Sequence, residues 1–174
     1  MMKFSCEKAL LQSAINIASR TVAQKSSIPA LEGLLLQTGS DLTISGYNMQ
    51  TGIRTTVSAD VSAEGEIVLN ARLFGDIIRK MPDDVIVFSA DDKYMVHLSC
   101  GDASFDILGL SAEDYPELPD VGSGRSISIS QPALKELISG TIFSVSENQG
   151  RPIHTGVKFE VENDWISAIA VDGF

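Results

Sequence analysis

Residues 28–36 read Ile-Pro-Ala-Leu-Glu-Gly-Leu-Leu-Leu, and residues 151–159 read Arg-Pro-Ile-His-Thr-Gly-Val-Lys-Phe. In each stretch a proline that interrupts helical periodicity is followed, four residues later, by a glycine and a strand-like segment. The two stretches lie 123 residues apart, which is the distance from Pro29 to Pro152 and from Gly33 to Gly156. A recurrence at fixed distance indicates an internal repeat.

The repeat extends in both directions from these stretches. The same offset holds near the N-terminus, and one added residue keeps the alignment toward the C-terminus. The aligned pairs are Phe4 with Ile127, Leu11 with Leu134, Ile44 with Ala168 and Asn48 with Asp172. The sequence therefore predicts a structural unit of about 120 residues that begins again near residue 126.

Residues 2–118 themselves contain one order of elements twice: a strand, an amphipathic helix and three strands. Each helix must lay its apolar face on a sheet, so the expected fold class is α+β with a doubled β-α-β-β-β unit. The predicted helices cover 7–22, 71–80 and a segment from Gln131. The predicted strands are 4–6, Leu31–Thr38, Leu42–Tyr47, Gly52–Val61, Gly65–Leu69, Val85–Ala90, Tyr94–Ser99, Ala103–Leu110 and Ser126–Ser130.

The segment Pro116–Arg125, with the sequence PELPDVGSGR, lacks periodicity and separates the two repeats. We therefore predict a first domain over residues 1–118, a linker over 119–125 and the first part of a second domain over 126–174. Because 126–174 match only part of the repeat, we expect the chain to belong to a longer polypeptide.

Composition and charge limit the kinds of ligand that the chain can bind. The chain is 44% hydrophobic and carries a net charge of −10, which argues against indiscriminate binding to nucleic acid. However, cations are concentrated in the two segments that contain the predicted helices. Lys3, Lys8, Arg20 and Lys25 accompany one acid in residues 2–30, and Arg72, Arg79 and Lys80 accompany one acid in residues 70–81.

Neither a membrane span nor a disulfide framework is predicted. No apolar run approaches the ~20 residues that cross a bilayer, and the N-terminus lacks an apolar signal region. We therefore expect a cytoplasmic protein with no membrane partner. Cys6 and Cys100 are expected to be reduced core residues, and no metal site or cofactor is predicted.

Several motifs, in this order and spacing, resemble the bacterial sliding clamp family, the β subunits of DNA polymerase III. They are Met2–Phe4, Ile28–Leu36, Asn70–Phe74, Leu110–Leu118, Arg151–Val157 and Ala170–Gly173. The resemblance implies three similar domains per subunit, with helices inside and antiparallel sheets outside. It also implies a homodimeric ring around duplex DNA that has no catalytic activity and tethers the replicative polymerase.

Candidate site residues follow from the resemblance. For sequence-independent contact with DNA they are Lys25, Arg72, Arg79, Asn148 and Arg151. For a pocket that takes short peptides of the polymerase and the clamp loader they are His154, Val171, Gly173 and Phe174. For the subunit-interface edge they are Phe105, Ile107 and Leu108. His154 and Phe174 depart from the family's residues, and the alternative for His154 is a strand histidine without a ligand role.

Two alternative functions, from other classes of protein, remain open. Ser5-Cys6-Glu7-Lys8 matches the S-x-x-K signature of penicillin-recognising acyl enzymes, with Ser5 as nucleophile and Lys8 as its activator. Ser146-Glu147-Asn148 and His154-Thr155-Gly156 imitate the other two signatures of that class, although they lie too close together for its fold. The second alternative is a binding scaffold unrelated to DNA.

Overall fold

The computed structural model describes residues 1–119, 126–162 and 165–173. The chain forms two units, Met1–Asp120 and Val121–Phe174. The helices are α1 (Lys8–Ala18), α2 (Ala71–Lys80) and α3 (Gln131–Ser139). The strands are β1 (Met2–Glu7), β2 (Gly33–Thr38), β3 (Leu42–Tyr47), β4 (Gly52–Val57), β5 (Asp60–Ala63), β6 (Gly65–Asn70), β7 (Val85–Ala90), β8 (Met95–Cys100), β9 (Ala103–Leu108), β10 (Lys158–Val161) and β11 (Ile166–Ile169).

Two antiparallel sheets build the first unit. One has the strand order β5-β1-β7-β8-β9 and the other β4-β3-β2-β6. The two halves of the unit are interlocked, because β1 of the first half pairs with β7 of the second and β6 of the second half pairs with β2 of the first. The doubled β-α-β-β-β order predicted from the sequence is therefore present, and neither half completes its sheet alone.

Apolar side chains from both sheets and both helices form one main core. Its largest fully buried members include Phe4, Phe74 and Phe88, and the rings of Phe4 and Phe88 stack with centroids 4.6 Å apart. Cys6 and Cys100 are buried free thiols in this core, which confirms that expectation. Burial is the largest cause of a raised pKa of the Cys6 thiol, so this thiol is held protonated.

Helix α1 is shorter than the predicted range 7–22. It ends at Ala18, and Ser19–Thr21 continue as a 3₁₀ turn. The hydroxyl of Thr21 donates to the carbonyls of Ala18 and Gly46, which ties the end of the helix to β3. This tertiary contact, which periodicity does not reveal, ends the helix early.

The predicted strand Gly52–Val61 is wrong in one respect, because the chain divides it into β4 and β5, which lie in different sheets. The second half makes a similar crossing. The predicted strand Ala103–Leu110 ends at Leu108, and Leu110 then pairs with Val68 of the other sheet. Alternation of apolar residues marks strands but not the sheet they join, so both crossings were missed.

A smaller apolar cluster lies on the other face of the four-stranded sheet. The segment after β9 covers this face through Tyr115, which packs with Leu31, Tyr47 and Val68. The hydroxyl of Tyr115 donates to the carbonyl of Ser45 at 3.3 Å, and burial raises its pKa to about 12. This segment thereby shields the sheet from water on its second face.

The described part of the second unit repeats the first half of the first unit at an offset of 123 residues. The offset relates the 3₁₀ turns Ser19–Thr21 and Ile142–Ser144 and the start of the turns Pro29–Glu32 and Pro152–His154. The strand register also recurs, since Leu36 faces Ile44 and Phe159 faces Ala168. The repeat inferred from the sequence therefore exists in the structure.

One predicted element of the second unit is absent. Residues 126–130 have no strand conformation, although Ser130 caps α3 by accepting from the amide of Ala133 at 3.4 Å. The equivalent strand β1 is held by β5 and β7, for which the described second unit has no counterpart. Most of the predicted linker, residues 120–125, lies outside the described residues.

Candidate functional site

Helix α2 presents cations on its exposed side. Asn70 begins the helix by accepting a hydrogen bond from the amide of Leu73 at 3.0 Å, and Phe74, Ile77 and Ile78 hold its other side in the core. The side chains of Arg72, Arg79 and Lys80 remain exposed. Arg72 and Arg79 are two turns apart on one stripe, about 10 Å along the axis.

An acid lies between the two arginines. Asp76 accepts from Arg79 at 2.5 Å, and both side chains are largely open to solvent. Such an exposed pair contributes about 0–1 kcal/mol and leaves the guanidinium free to exchange partners. The exposed side of α2 is therefore net positive within an acidic protein.

The loop after α1 adjoins the beginning of α2. An open cleft of about 640 Å³ is lined by this loop and by the first residues of α2. Its lining includes Gln24, the neighbour of Lys25, together with Arg72. Two segments that carry predicted DNA-contacting residues, the loop of Lys25 and the start of α2 with Arg72, thus border one cleft.

Internal hydrogen bonds fix the course of this loop. The amide of Ser26 donates to the carboxylate of Glu32 at 3.1 Å, and the amide of Ala23 donates to the carbonyl of Leu31 at 3.0 Å. Lys25 itself is exposed. The loop holds its cation outward at a defined place.

Lys8 has a structural role. Its ammonium donates to the carbonyl of Met81 and to the carboxylate of Asp83, each at 2.6 Å, and its side chain is 11% exposed. It joins the start of α1 to the end of α2. The cation count of residues 2–30 therefore overstates the charge that is available to a ligand.

In the second unit, Asn148 and Arg151 occupy one exposed loop. The carboxamide oxygen of Asn148 accepts from the amide of Gly150 at 2.9 Å, so part of this side chain shapes the loop. The amide of Ser146 donates to the carbonyl of His154 at 2.8 Å and closes the loop at its base. Both predicted contact residues are thus displayed by a structured turn.

Two of the predicted pocket residues contact each other. Gly173 has φ +87°, and a Cβ on it would lie 2.6 Å from Nδ1 of His154 and 3.7 Å from a terminal nitrogen of Arg151. Both conformation and space therefore require glycine at this position. Val171 is half exposed, and Phe174 lies outside the described residues.

One ring nitrogen of His154 is unusual in its burial and hydrogen bonding. Its Nδ1 is buried and has no hydrogen-bond partner within the described chain. Sequence reasoning assigned Arg151 and His154 to different surfaces, yet the contact through Gly173 places them side by side. The turn Pro152–His154 holds the two residues together, because the amide of His154 donates to the carbonyl of Arg151 at 3.0 Å.

The predicted interface edge is the outer strand of the five-stranded sheet. Strand β9 pairs with β8 on one side only, and Phe105 and Leu108 are 40% and 68% exposed. Ile107 is a correction to the prediction, because it is 8% exposed and belongs to the main core. Its alternation with Leu108 could have indicated that one of the two faces inward.

A cross-strand hydrogen bond beside this edge could not be found from the sequence. His97 is exposed, and its Nδ1 lies 2.7 Å from the carboxylate of Asp106. The two residues are direct partners in the β8–β9 register. Without that register the sequence gives no sign of the pair.

The acyl-enzyme reading is wrong for this structure. Ser5 lies within β1, paired with Val87 and Asp60, while the ammonium of Lys8 bonds to Met81 and Asp83. No hydrogen bond joins Ser5 to Lys8, so the proposed activator does not reach the nucleophile. Among the described residues no group of three or more His, Cys, Asp and Glu side chains could hold a metal ion, and no helix could span a membrane.

Comparisons with known proteins agree with this geometry. The family described as "DNA polymerase III beta subunit, N-terminal domain" matches residues 2–119. The beta sliding clamp of Synechococcus elongatus is 33% identical over 175 residues, covering 99% of this chain and 47% of that protein. The beta sliding clamp of Bacillus subtilis is 30% identical over 180 residues, covering 98% and 48%.

Solved structures show the same relationship. The DNA polymerase sliding clamp of Bacillus subtilis has a TM-score of 0.93 at 29% identity and covers 98% of this chain and 47% of its own. The DNA polymerase III beta subunit of Thermotoga maritima has a TM-score of 0.89 at 26% identity and covers 100% and 48%. The chain spans about half the length of these relatives. It has the sliding-clamp fold and belongs to the DNA polymerase III beta subunit family, whose N-terminal domain it contains.

Proposed function

We propose that this chain is part of a DNA sliding clamp, a non-catalytic processivity factor that encircles duplex DNA and tethers the replicative polymerase. The observation that carries the proposal is the placement of charge. The protein has a net charge of −10, yet Lys25, Arg72, Arg79 and Lys80 are exposed on α2 and the adjoining loop. The relatives named beta sliding clamp support the same reading.

A sliding protein needs this distribution. Contacts with phosphate carry no sequence information and weaken steeply as salt rises, which suits a surface that must move along any duplex. Acidic surfaces elsewhere keep DNA from binding on the outside of the ring. We assign Lys25, Arg72 and Arg79 to the DNA-facing surface, with Asn148 and Arg151 in the corresponding loop of the second unit.

We further propose two protein-binding surfaces. His154, Val171, Gly173 and Phe174 contribute to a pocket for short peptides of the polymerase and the clamp loader. Strand β9, through Phe105 and Leu108, is the edge at which two subunits join into a homodimeric ring. Its unpaired backbone groups and exposed apolar side chains suit strand addition from a neighbour. Residues 1–118 and 126–174 then belong to successive clamp domains, joined by the linker 119–125.

Topological retention tests the encirclement. A polypeptide of the relatives' length that begins with this chain should, once loaded, stay on nicked circular duplex DNA in a sizing column. Cutting the circle should release it, because a ring slides off a free end. Retention on linear DNA equal to that on circles would contradict encirclement.

Charge reversal tests the assigned surface. Replacing Lys25, Arg72 and Arg79 with glutamate should weaken the association with duplex and lower polymerase processivity, equally for unrelated DNA sequences. The control replaces Lys3, Arg54 and Lys93, which are exposed in strands and a turn, and changes the net charge by the same amount. Equal losses in both variants would show that only net charge matters and would refute the assigned surface.

A further inference from the structure

Asp76 is the single acid of α2, and it lies within the positive stripe of that helix. Arg72, Asp76 and Arg79 are separated by four and three residues, so the three side chains share one face of the helix. Along the axis, Asp76 lies about 6 Å from Arg72 and about 4.5 Å from Arg79. The carboxylate is therefore part of the surface that we assign to the duplex.

The carboxylate of Asp76 is paired with Arg79. It accepts from a terminal nitrogen of the guanidinium at 2.5 Å, and the side chains of Arg79 and Asp76 are 62% and 43% exposed. A ligand can therefore reach both groups. Within the described part of the chain, Arg72 makes no ion pair. A phosphate that binds Arg79 would have to replace an internal anion, whereas one that binds Arg72 would not.

Helix α2 itself gains little from this acid. Asn70 caps its start, and Phe74 and Ile78 are fully buried in the core, so the helix is held without Asp76. Aspartate has a poor propensity for a helix interior, and the sixth residue of α2 lies beyond the first turn, where an acid complements the helix dipole. An exposed pair three residues apart stabilises a helix only slightly. The position of the acid therefore has its main effect on what Arg79 can bind.

We propose that Asp76 is an internal counter-anion that exchanges with DNA phosphate on Arg79 and keeps this contact weak enough for movement along the duplex. When the guanidinium leaves one phosphate, the carboxylate accepts it and then releases it to the next phosphate. This alternative partner lowers the barrier between neighbouring phosphates. Asp76 acts through Arg79, so it is a positioning residue. The inference rests on the proposed function, because it requires a duplex against α2.

Competition fixes the direction of the expected effect. A phosphate must displace the carboxylate from Arg79 and must also approach its negative charge, and both requirements oppose binding. Asp76→Asn removes the charge and keeps the shape of the side chain, so the affinity for duplex should rise by about two- to tenfold. The slope of log affinity against log salt should steepen by about 1, because one more cation is available to phosphate.

Binding of a short linear duplex at several salt concentrations tests the exchange. Fluorescence anisotropy compares variants of a polypeptide of the relatives' length that begins with this chain. Asp76→Asn should bind more tightly than the wild type, and Asp76→Glu, which keeps the carboxylate, should bind as the wild type does. Asp102→Asn, in the exposed turn between β8 and β9, changes the net charge as Asp76→Asn does and should leave the affinity unchanged.

An Arg79→Gln background shows whether Asp76 acts through Arg79. Asp76→Asn should raise the affinity less in this background than in the wild type, because no guanidinium remains to be exchanged. Loaded on stretched DNA, Asp76→Asn should also diffuse more slowly than the wild type. Far-ultraviolet circular dichroism establishes that each variant is folded.

Three outcomes would count against this account of Asp76. The proposal is overturned if the wild type binds duplex and Asp76→Asn binds no more tightly. Equal tightening by Asp76→Asn and Asp102→Asn would also overturn it, because net charge alone would then explain the effect. A wild type that does not bind duplex at low salt would refute the proposed function, and this inference with it.

Discussion

Gly46 lies where the end of α1 meets β3, and a side chain has no room there. A Cβ on Gly46 would lie 2.1 Å from the carbonyl oxygen of Ala18, a backbone atom held by the hydroxyl of Thr21. Because the helix would have to move away from the sheet, we expect Gly46→Ala to lower the free energy of unfolding by about 1–3 kcal/mol. Urea denaturation measures this loss.

Gly39 is the matched control for that substitution. It lies in the turn between β2 and β3, and a Cβ on it would meet nothing within 4 Å. We expect Gly39→Ala to change the free energy of unfolding by less than about 0.5 kcal/mol. Equal losses for the two variants would show that the α1–β3 contact does not constrain the fold.

Tyr115 makes stability depend on alkaline pH. Burial raises the pKa of its hydroxyl from 10.0 to about 12, so between these values the unfolded chain loses the proton before the folded one does. Its contribution to stability is therefore complete below pH 10 and declines as the pH rises toward 12. We expect Tyr115→Phe to lose about 1 kcal/mol near neutral pH and to show a smaller decline above pH 10.

Thermal or urea unfolding of both proteins at several pH values tests this account of Tyr115. The difference between wild type and variant isolates this hydroxyl, because lysines and other tyrosines titrate in both proteins. Parallel declines above pH 10 would mean that the hydroxyl is not desolvated in the folded state.

At the scale of single residues, composition predicted some roles and tertiary contacts changed others. Cys6 and Cys100 are core residues as expected, since a thiol among apolar strand residues has few alternatives. Lys8 and Ile107 have roles that differ from the expected ones. The ammonium of Lys8 bonds to the carbonyl of Met81, and the side chain of Ile107 packs in the main core. Both contacts involve elements that are distant in the sequence, so a local pattern does not reveal them. The partner of His97 depends likewise on strand register.

Among the elements, α2 gives the clearest test of a sequence signal. Asparagine is a favoured N-cap residue, and the side chain of Asn70 accepts from the amide of Leu73 at 3.0 Å. Replacing Asn70 with alanine leaves an amide of the first turn without its partner, so we expect a loss of about 1 kcal/mol in the free energy of unfolding. Asn16→Ala, on the exposed side of α1, is the control and should cost nothing, because alanine favours a helix interior.

Chemical denaturation of the two asparagine variants tests whether Asn70 caps α2 or is only a surface residue. A loss for Asn70→Ala no larger than that for Asn16→Ala would contradict the assigned cap. Because α2 carries Arg72 and Arg79, the same helix start also sets where these two cations lie.

Element type was predictable where local signals suffice, and sheet membership was not. The helix 71–80 and the strands Leu42–Tyr47 and Val85–Ala90 have the predicted bounds, because caps, turns and alternation are local. The division of Gly52–Val61 between two sheets depends on the interlocked halves. Residues 126–130 alternate like a strand, yet strand conformation requires a partner that their sequence does not supply.

At the scale of the whole molecule, the repeat could be inferred because its offset relates glycines, prolines and apolar positions together. That the loop of Lys25 and the start of α2 border one cleft could be reached from the sequence only through the family resemblance, since these segments are far apart in the chain. Net charge alone would have argued against a DNA-binding surface. The exposed cations of α2 nevertheless make this helix locally suited to DNA. The central claim of the account is therefore that α2 and the adjoining loop face the duplex.

Nuclear magnetic resonance of the 174-residue chain with short duplex DNA tests that claim most directly. At low salt, amide shifts should change in residues 20–25 and along α2, equally for two duplexes of unrelated sequence, and the changes should vanish as salt rises. Shifts centred on the exposed faces of the two sheets, or shifts that differ between the two sequences, would contradict the account of a clamp whose helices face the DNA.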